Sequence, residues 1–354
     1  MSEVSEKSVR RSPLIELTVC RSKEFVREPE AVFWVFAFPL LLAIALGFAF
    51  RAKGPDKIPV GVVAQADAPA AERALAVLAK SPVLLPRQYE AEEGHEALRT
   101  GKISLLVEVG SPLVFRFDET RPDSRIARLE ADAVLQQAAG RKDPLAVQAE
   151  RVTEKGSRYI DFLIPGLLGM NLMGTGIWSI AFSVTTARNR KILKRLVATP
   201  MRKSDYLLSQ ILGRLGFLIP EMIILIGAGW LIFGVGVRGS LLLLTATCLL
   251  GAMTFCGLGL LIASRVSTIE GASGLANLVM LPMWLLSGVF FSSERFPDAV
   301  QPWINALPLT ALNQALRGIM TEARTLPEIW LQLVILAAWG LASFGVALKI
   351  FRWR

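Results

Sequence analysis

The chain has 354 residues, 53% of them apolar and 19% charged, with a mean hydropathy of +0.46, which excludes an ordinary soluble globular protein and makes a membrane its solvent. A net charge of +9 and a pI near 9.7 would suit a nucleic-acid partner, but the position of the charge argues against one. Within residues 185–208, a short loop between two apolar runs, Arg188, Arg190, Lys191, Lys194, Arg195, Arg202 and Lys203 stand against the single acid Asp205. Basic residues gather in this way on the cytoplasmic side of a membrane.

In chain order, residues 1–30 are a charged tail in which Leu14, Ile15, Leu17, Phe25 and Val26 recur among the charges. Such a pattern suits a helix lying along the membrane interface, or else a solvated lead-in. A spanning helix needs about 20 apolar residues to cross about 30 Å of hydrocarbon. Six segments qualify: Ala31–Phe50, Ile160–Val184, Leu215–Val237, Leu241–Ala263, Gly271–Phe291 and Ile329–Phe351. The long charged lead and the lack of a clear small-residue cleavage site mark the first as an anchor and not a signal peptide. With loop 185–208 inside, the N-terminus is inside, residues 51–158 are outside, and Lys349, Arg352 and Arg354 return inside.

Residues 51–158 read as a small external α/β domain. Strands are expected at Ile58–Val63, Ser104–Val109 and Leu113–Phe117, and helices at Ala68–Lys80, Ala91–Thr100 and Ser124–Ala139. A lid, a vestibule, a docking surface or a structural cap would all fit it. Residues 159–354 hold the remaining spans. Between the last two, residues 292–328 are too polar to span, yet carry Trp303, Ile304, Leu309, Leu312, Leu316 and Ile319. We expect short amphipathic helices dipping into the outer headgroup layer there, with an ordinary loop as the alternative. The expected fold is an α-helical integral membrane protein of six transmembrane helices, with the α/β domain inserted between the first and second.

Motifs for chemistry are missing from the sequence. The nearest string to a phosphate-cradling loop, Gly94–Ile103, has the wrong glycine spacing and Ile103 where a magnesium-binding hydroxyl belongs. His95 is the only histidine, and Cys20, Cys248 and Cys256 form no CxxC pair, so no metal site is expected. Gly257 and Gly259 are better explained by close helix packing. Ionisable residues at membrane depth are costly, and two stand out in the third span. Arg214 is placed at its cytoplasmic edge, where it can snorkel, and Glu221 lies deeper, after Pro220 and on the same helix face. Glu221 either lines a polar path or pairs with Arg214. Asp161 is expected at the interface.

Four runs carry a family likeness: REPEAVFWVFAFP (27–39), YIDFLIPGLLGMNLM (159–173), LKRLVATP followed by MRKSDYLLSQIL (193–212), and FPDAVQPWINALPLTALNQALR (296–317). In this order they resemble the permeases of ABC-2 type transporters, in the branch with a folded insert between spans one and two. Many members carry an acid and a Gly-Thr pair where this chain has Asn189, Lys191 and Ile192.

The resemblance implies the membrane-spanning subunit of an exporter for drug-like or other amphiphiles in the inner or plasma membrane, with a lipid or polysaccharide exporter as the alternative. It implies two separate ABC ATPase subunits that hold ATP and magnesium, a second permease chain, like or unlike, and no enzymatic reaction or bound cofactor in this chain. The coupling residues would be Arg188, Arg190, Lys191, Lys194, Arg195, Pro200, Arg202 and Lys203. The substrate path would include Glu221 and Asn171, and an outer gate segment would include Pro308, Leu309, Thr310 and Arg317. A receptor using the external domain is a weaker reading, because no inner segment is long enough for a signalling module, and an intramembrane enzyme lacks a nucleophile.

Overall fold

The computed structural model describes residues 12–50, 57–64, 68–141, 158–199 and 203–352. The chain divides into two compact units, Ala52–Val152 and the remainder. Pro200, Arg202, Arg354 and the side chain of Lys203 lie outside the described residues.

The first helix, α1 (Pro13–Arg27), is amphipathic. Its Arg21 Nη2 donates to the Ser179 carbonyl at 3.2 Å, and its Phe25 ring lies 4.3 Å from that of Phe217. The first span follows as α2 (Pro29–Val32), a π-helical turn (Phe33–Ala37) and α3 (Phe38–Ala49).

The inserted unit holds β1 (Ile58–Ala64), α4 (Ala68–Leu78), β2 (Leu84–Gln88), α5 (Ala91–Arg99), β3 (Leu105–Val109), β4 (Val114–Phe117) and α6 (Pro122–Ala138). The sheet runs β2-β1-β3-β4, parallel except for the β3–β4 pair. Val60, Val62, Leu105 and Val107 pack with Ala71, Leu78, Ala127 and Ala131 of α4 and α6, while Val63 and Leu106 face Ala97 of α5. Strand β2 was not expected from the sequence. Its Pro86 cannot donate to a ladder, which demotes the run as a strand candidate, but an edge position tolerates it.

The second span is α7 (Tyr159–Asn189), whose start is fixed by Arg158 and Asp161. Arg158 donates to the Asp161 carboxylate through Nε at 2.9 Å and Nη2 at 2.8 Å, and through Nη1 to the Phe233 carbonyl at 3.0 Å. Asp161 is therefore a buried partner in the first turn of the span. After α8 (Ile192–Val197) come α9 (Lys203–Leu215) and α10 (Leu218–Phe233), which form the third span, Ser204–Phe233. The span starts earlier than the apolar run suggested, because Asp205, Gln210 and Arg214 lower its hydropathy. Pro220 sits in the first turn of α10, where a missing N–H costs little, so the interruption lies before it at Gly216 and Phe217.

The rest is α11 (Leu241–Ala263), α12 (Ile269–Leu286), α13 (Gln301–Ala306), α14 (Pro308–Glu322) and α15 (Leu326–Ile350), with two 3₁₀ turns before α13. Among the described residues six helices are long and apolar enough to cross a membrane, as the composition implied. Between helices in lipid, close packing and interhelical hydrogen bonds do most of the holding. A Cβ on Gly259 would meet the Ile177 carbonyl oxygen at 2.8 Å, so α11 and α7 touch backbone to backbone. Thr254 Oγ1 donates to the Leu336 carbonyl at 2.9 Å and fastens α11 to α15.

Segment 292–328 is helical as expected, and α14 is enclosed by the bundle. Leu309, Leu312, Ala315, Leu316 and Ile319 are fully buried in the main core among α7, α11 and α15.

Candidate functional site

At one end of the bundle, α7 runs out at Asn189 and Lys191 takes a left-handed conformation with φ of +57°, turning the chain into α8. Leu193 is buried among apolar residues of α7, α9 and α11, whereas Arg190, Lys191, Lys194 and Arg195 are exposed. Arg188 differs from the rest of the basic set, because its guanidinium turns inward and donates to the carbonyls of Ala263, Ser264, Val266 and Arg352.

Within the spans, the structure brings Asn171, Glu221 and Arg214 together. Asn171 and Thr175 lie one turn apart on α7 and so share a face. Arg214 Nη2 donates to Glu221 Oε2 at 2.5 Å and also to Thr175 Oγ1, and Asn171 Nδ2 donates to Glu221 Oε1 at 2.6 Å. Glu221 is 1% exposed and Arg214 5%. Arg214 therefore does not snorkel: with the span beginning at Ser204, it lies well inside the helix bundle. The pair meets across the break between α9 and α10 and does not share one unbroken helix face.

Asn171 Nδ2 also donates to the Val35 carbonyl at 3.0 Å. Pro39 has no N–H for the carbonyl four residues before it, which is that of Val35, and the π-helical turn marks the same distortion. Proline was the sequence signal for this acceptor, but its partner on another span could not be read locally.

At the other end, Pro308, Leu309 and Thr310 open α14 and are buried. Arg317 Nε donates to the Phe162 carbonyl at 3.3 Å, Nη2 donates to the Gly288 carbonyl, and the guanidinium carbon stands 3.5 Å from the Phe162 ring centroid. Asn313 Nδ2 reaches the Ser287 carbonyl at 2.9 Å. Gly288 and Ser287 follow α12, where exposed carbonyls favour a cation. Among the described residues no cluster of His, Cys, Asp and Glu could hold a metal ion.

Six candidate spans, a buried ion pair within them and a short basic helix at one end define a polytopic membrane protein. The chain belongs to the ABC-2 family transporter proteins, whose family model matches residues 30–349. Membership identifies it as an ABC transporter permease and implies association with an ABC ATPase. It is 24% identical over 330 residues to the probable multidrug ABC transporter permease YbhS of Escherichia coli K12, covering 82% of this chain and 84% of that protein. It is 26% identical over 195 residues to the probable multidrug ABC transporter permease YbhR of the same organism, covering 53% and 52%. It is 27% identical over 187 residues to ABC transporter G family member 20 of Dictyostelium discoideum, covering 52% of this chain but only 25% of that protein.

Proposed function

We infer that this chain is the membrane-spanning subunit of an ABC exporter, with the α8 end facing the cytoplasm and seating a separate ATPase subunit. The build of α8 carries this reading: Leu193 is buried in the bundle while Arg190, Lys191, Lys194 and Arg195 stay exposed. A helix held to the bundle through Leu193 and Leu196 while Lys194 and Arg195 stay exposed suits an acidic surface, and can pass a displacement into the span it follows. Two ATPase subunits would act on a pair of permease chains, and nucleotide, magnesium and hydrolysis belong to the ATPase.

The cargo we favour is a drug-like amphiphile moved outward across the inner or plasma membrane, supported by the multidrug names of YbhS and YbhR. Segment α14 would act as the outer gate, with Arg317 latching it to α7 and α12. Both oxygens of Glu221 are engaged by Arg214 and Asn171, which supports a structural pair over a path-lining acid.

The test is charge reversal, Lys194→Glu with Arg195→Glu. The variant should insert normally yet lose co-purification with the ATPase and transport-linked hydrolysis. Unchanged stimulation of hydrolysis would remove α8 as the seat.

A further inference from the structure

Arg188 belongs by sequence to the basic loop, but its geometry is that of an internal fastening. Nη1 donates to the Ala263 carbonyl at 2.7 Å and to that of Val266, while Nη2 donates to Ser264 at 3.2 Å and to Arg352 at 3.0 Å. Its guanidinium carbon stands 5.4 Å from the Phe351 ring centroid. Among the described residues no acid pairs with it.

Three of these acceptors lie at the turn between α11 and α12, where helix-end carbonyls lack intrahelical donors and the helix dipole favours a cation. The fourth lies just past α15, and the Arg352 N–H returns a hydrogen bond to the Ser264 carbonyl at 3.1 Å. An apolar layer repeats the gathering: Leu193 of α8 shares a cluster with Val184 of α7, Leu260 of α11 and Ala347 of α15. A planar fork of donors can serve carbonyls on several sides at once, which a single ammonium cannot do.

We propose that Arg188 is a positioning residue of transport. It joins the basic ends of α7, α11, α12 and α15 into one body, so that displacement of α8 reaches these spans together instead of dissipating in α7. This rests on α8 being the ATPase seat, but it assigns Arg188 to transmission and removes it from the docking surface.

The experiment uses the permease–ATPase complex in lipid nanodiscs. Arg188→Gln should keep the ATPase-to-permease ratio of the parent. Substrate moved per ATP hydrolysed should fall by about tenfold or more, the factor that goes with losing one charge-assisted hydrogen bond. Arg188→Lys should fail in the same way, although it keeps the charge. In the Gln variant, a short bis-maleimide tether between Arg190→Cys and Arg265→Cys, with the native cysteines replaced, should restore much of the lost coupling.

Loss of the ATPase from Arg188→Gln, parental coupling in Arg188→Lys, or no effect of the tether would each overturn the proposal. Should the variants not fold, spin labels at positions 190 and 265, on one permease chain per complex and with Arg188 intact, decide the matter. Their separation should stay constant between the nucleotide-free and vanadate-trapped states, and a change would overturn it. This distance does not depend on where the ATPase docks, whereas failure of the α8 seat would show as ATPase retained by the Lys194 and Arg195 reversal.

Discussion

Replacing Glu221 by glutamine keeps the side-chain volume and an oxygen to accept from Asn171, but it removes the charge opposite Arg214. The Glu221 oxygen that receives Arg214 at 2.5 Å becomes, in one amide orientation, an NH₂ facing a second donor. With Arg214 5% exposed, water cannot take over the guanidinium. Removing one partner of a buried pair costs about 3–5 kcal/mol, which is roughly 10² to 10⁴ in a folding equilibrium. Glu221→Gln should therefore lower the denaturation midpoint in nanodiscs and the abundance in membranes, with export of cationic and neutral amphiphiles falling together. Adding Arg214→Gln removes the stranded cation and should recover about half or more of the loss. Abundance unchanged in the single variant, or losses that simply add in the double, would refute the structural pair. Loss of cationic cargo alone, at normal abundance, would instead restore Glu221 to the transport path.

Three further expectations concern orientation and packing. In intact cells, an impermeant thiol reagent should label Glu93→Cys but not Lys194→Cys, and labelling of both would overturn the proposed orientation. Gly259→Ala should destabilise by about 1–3 kcal/mol, because the added carbon meets backbone oxygen at 2.8 Å, and a parental melting midpoint would contradict that close approach. Arg317→Lys keeps the charge but gives up the planar stack on Phe162 and the divergent donors, so thermal unfolding should show a loss of about 2 kcal/mol, while equal stability would show that the latch contributes nothing.

The spans were legible because about 20 apolar residues in a row have few other uses. Hydropathy failed where polar side chains are satisfied by other helices. Gln210 accepts from Ser183 Oγ at 2.8 Å and Arg214 is neutralised by Glu221, so the third span extends back to Ser204, through residues that count against it in sequence. The same limit hid the burial of α14: Asn313 and Arg317 give the segment a loop-like polarity, but their donors are taken up by Ser287, Gly288 and Phe162 inside the bundle. In the candidate site, α8 and the residues Asn171, Glu221 and Arg214 could be named from sequence, with the Arg214–Glu221 pair as one of two readings, but not the bonds of Asn171, since those join positions 50 and 136 apart only after folding. Arg188 was grouped with its exposed neighbours because charge patterning does not reveal which way a side chain turns.

The hydrogen bond from Asn171 to the Val35 carbonyl exists because Pro39 leaves that carbonyl without its usual helical donor. The two positions should therefore vary together in evolution, since both act on the Val35 carbonyl. Restoring an N–H at position 39 would let the first helix reclaim the carbonyl and take away one acceptor of the asparagine, so drift at one site should relax selection at the other. Among relatives, loss of the proline should accompany a smaller or less polar residue at the site of Asn171. Lineages in which the proline varies freely while the asparagine stays fixed would show that Glu221 alone is enough to retain it.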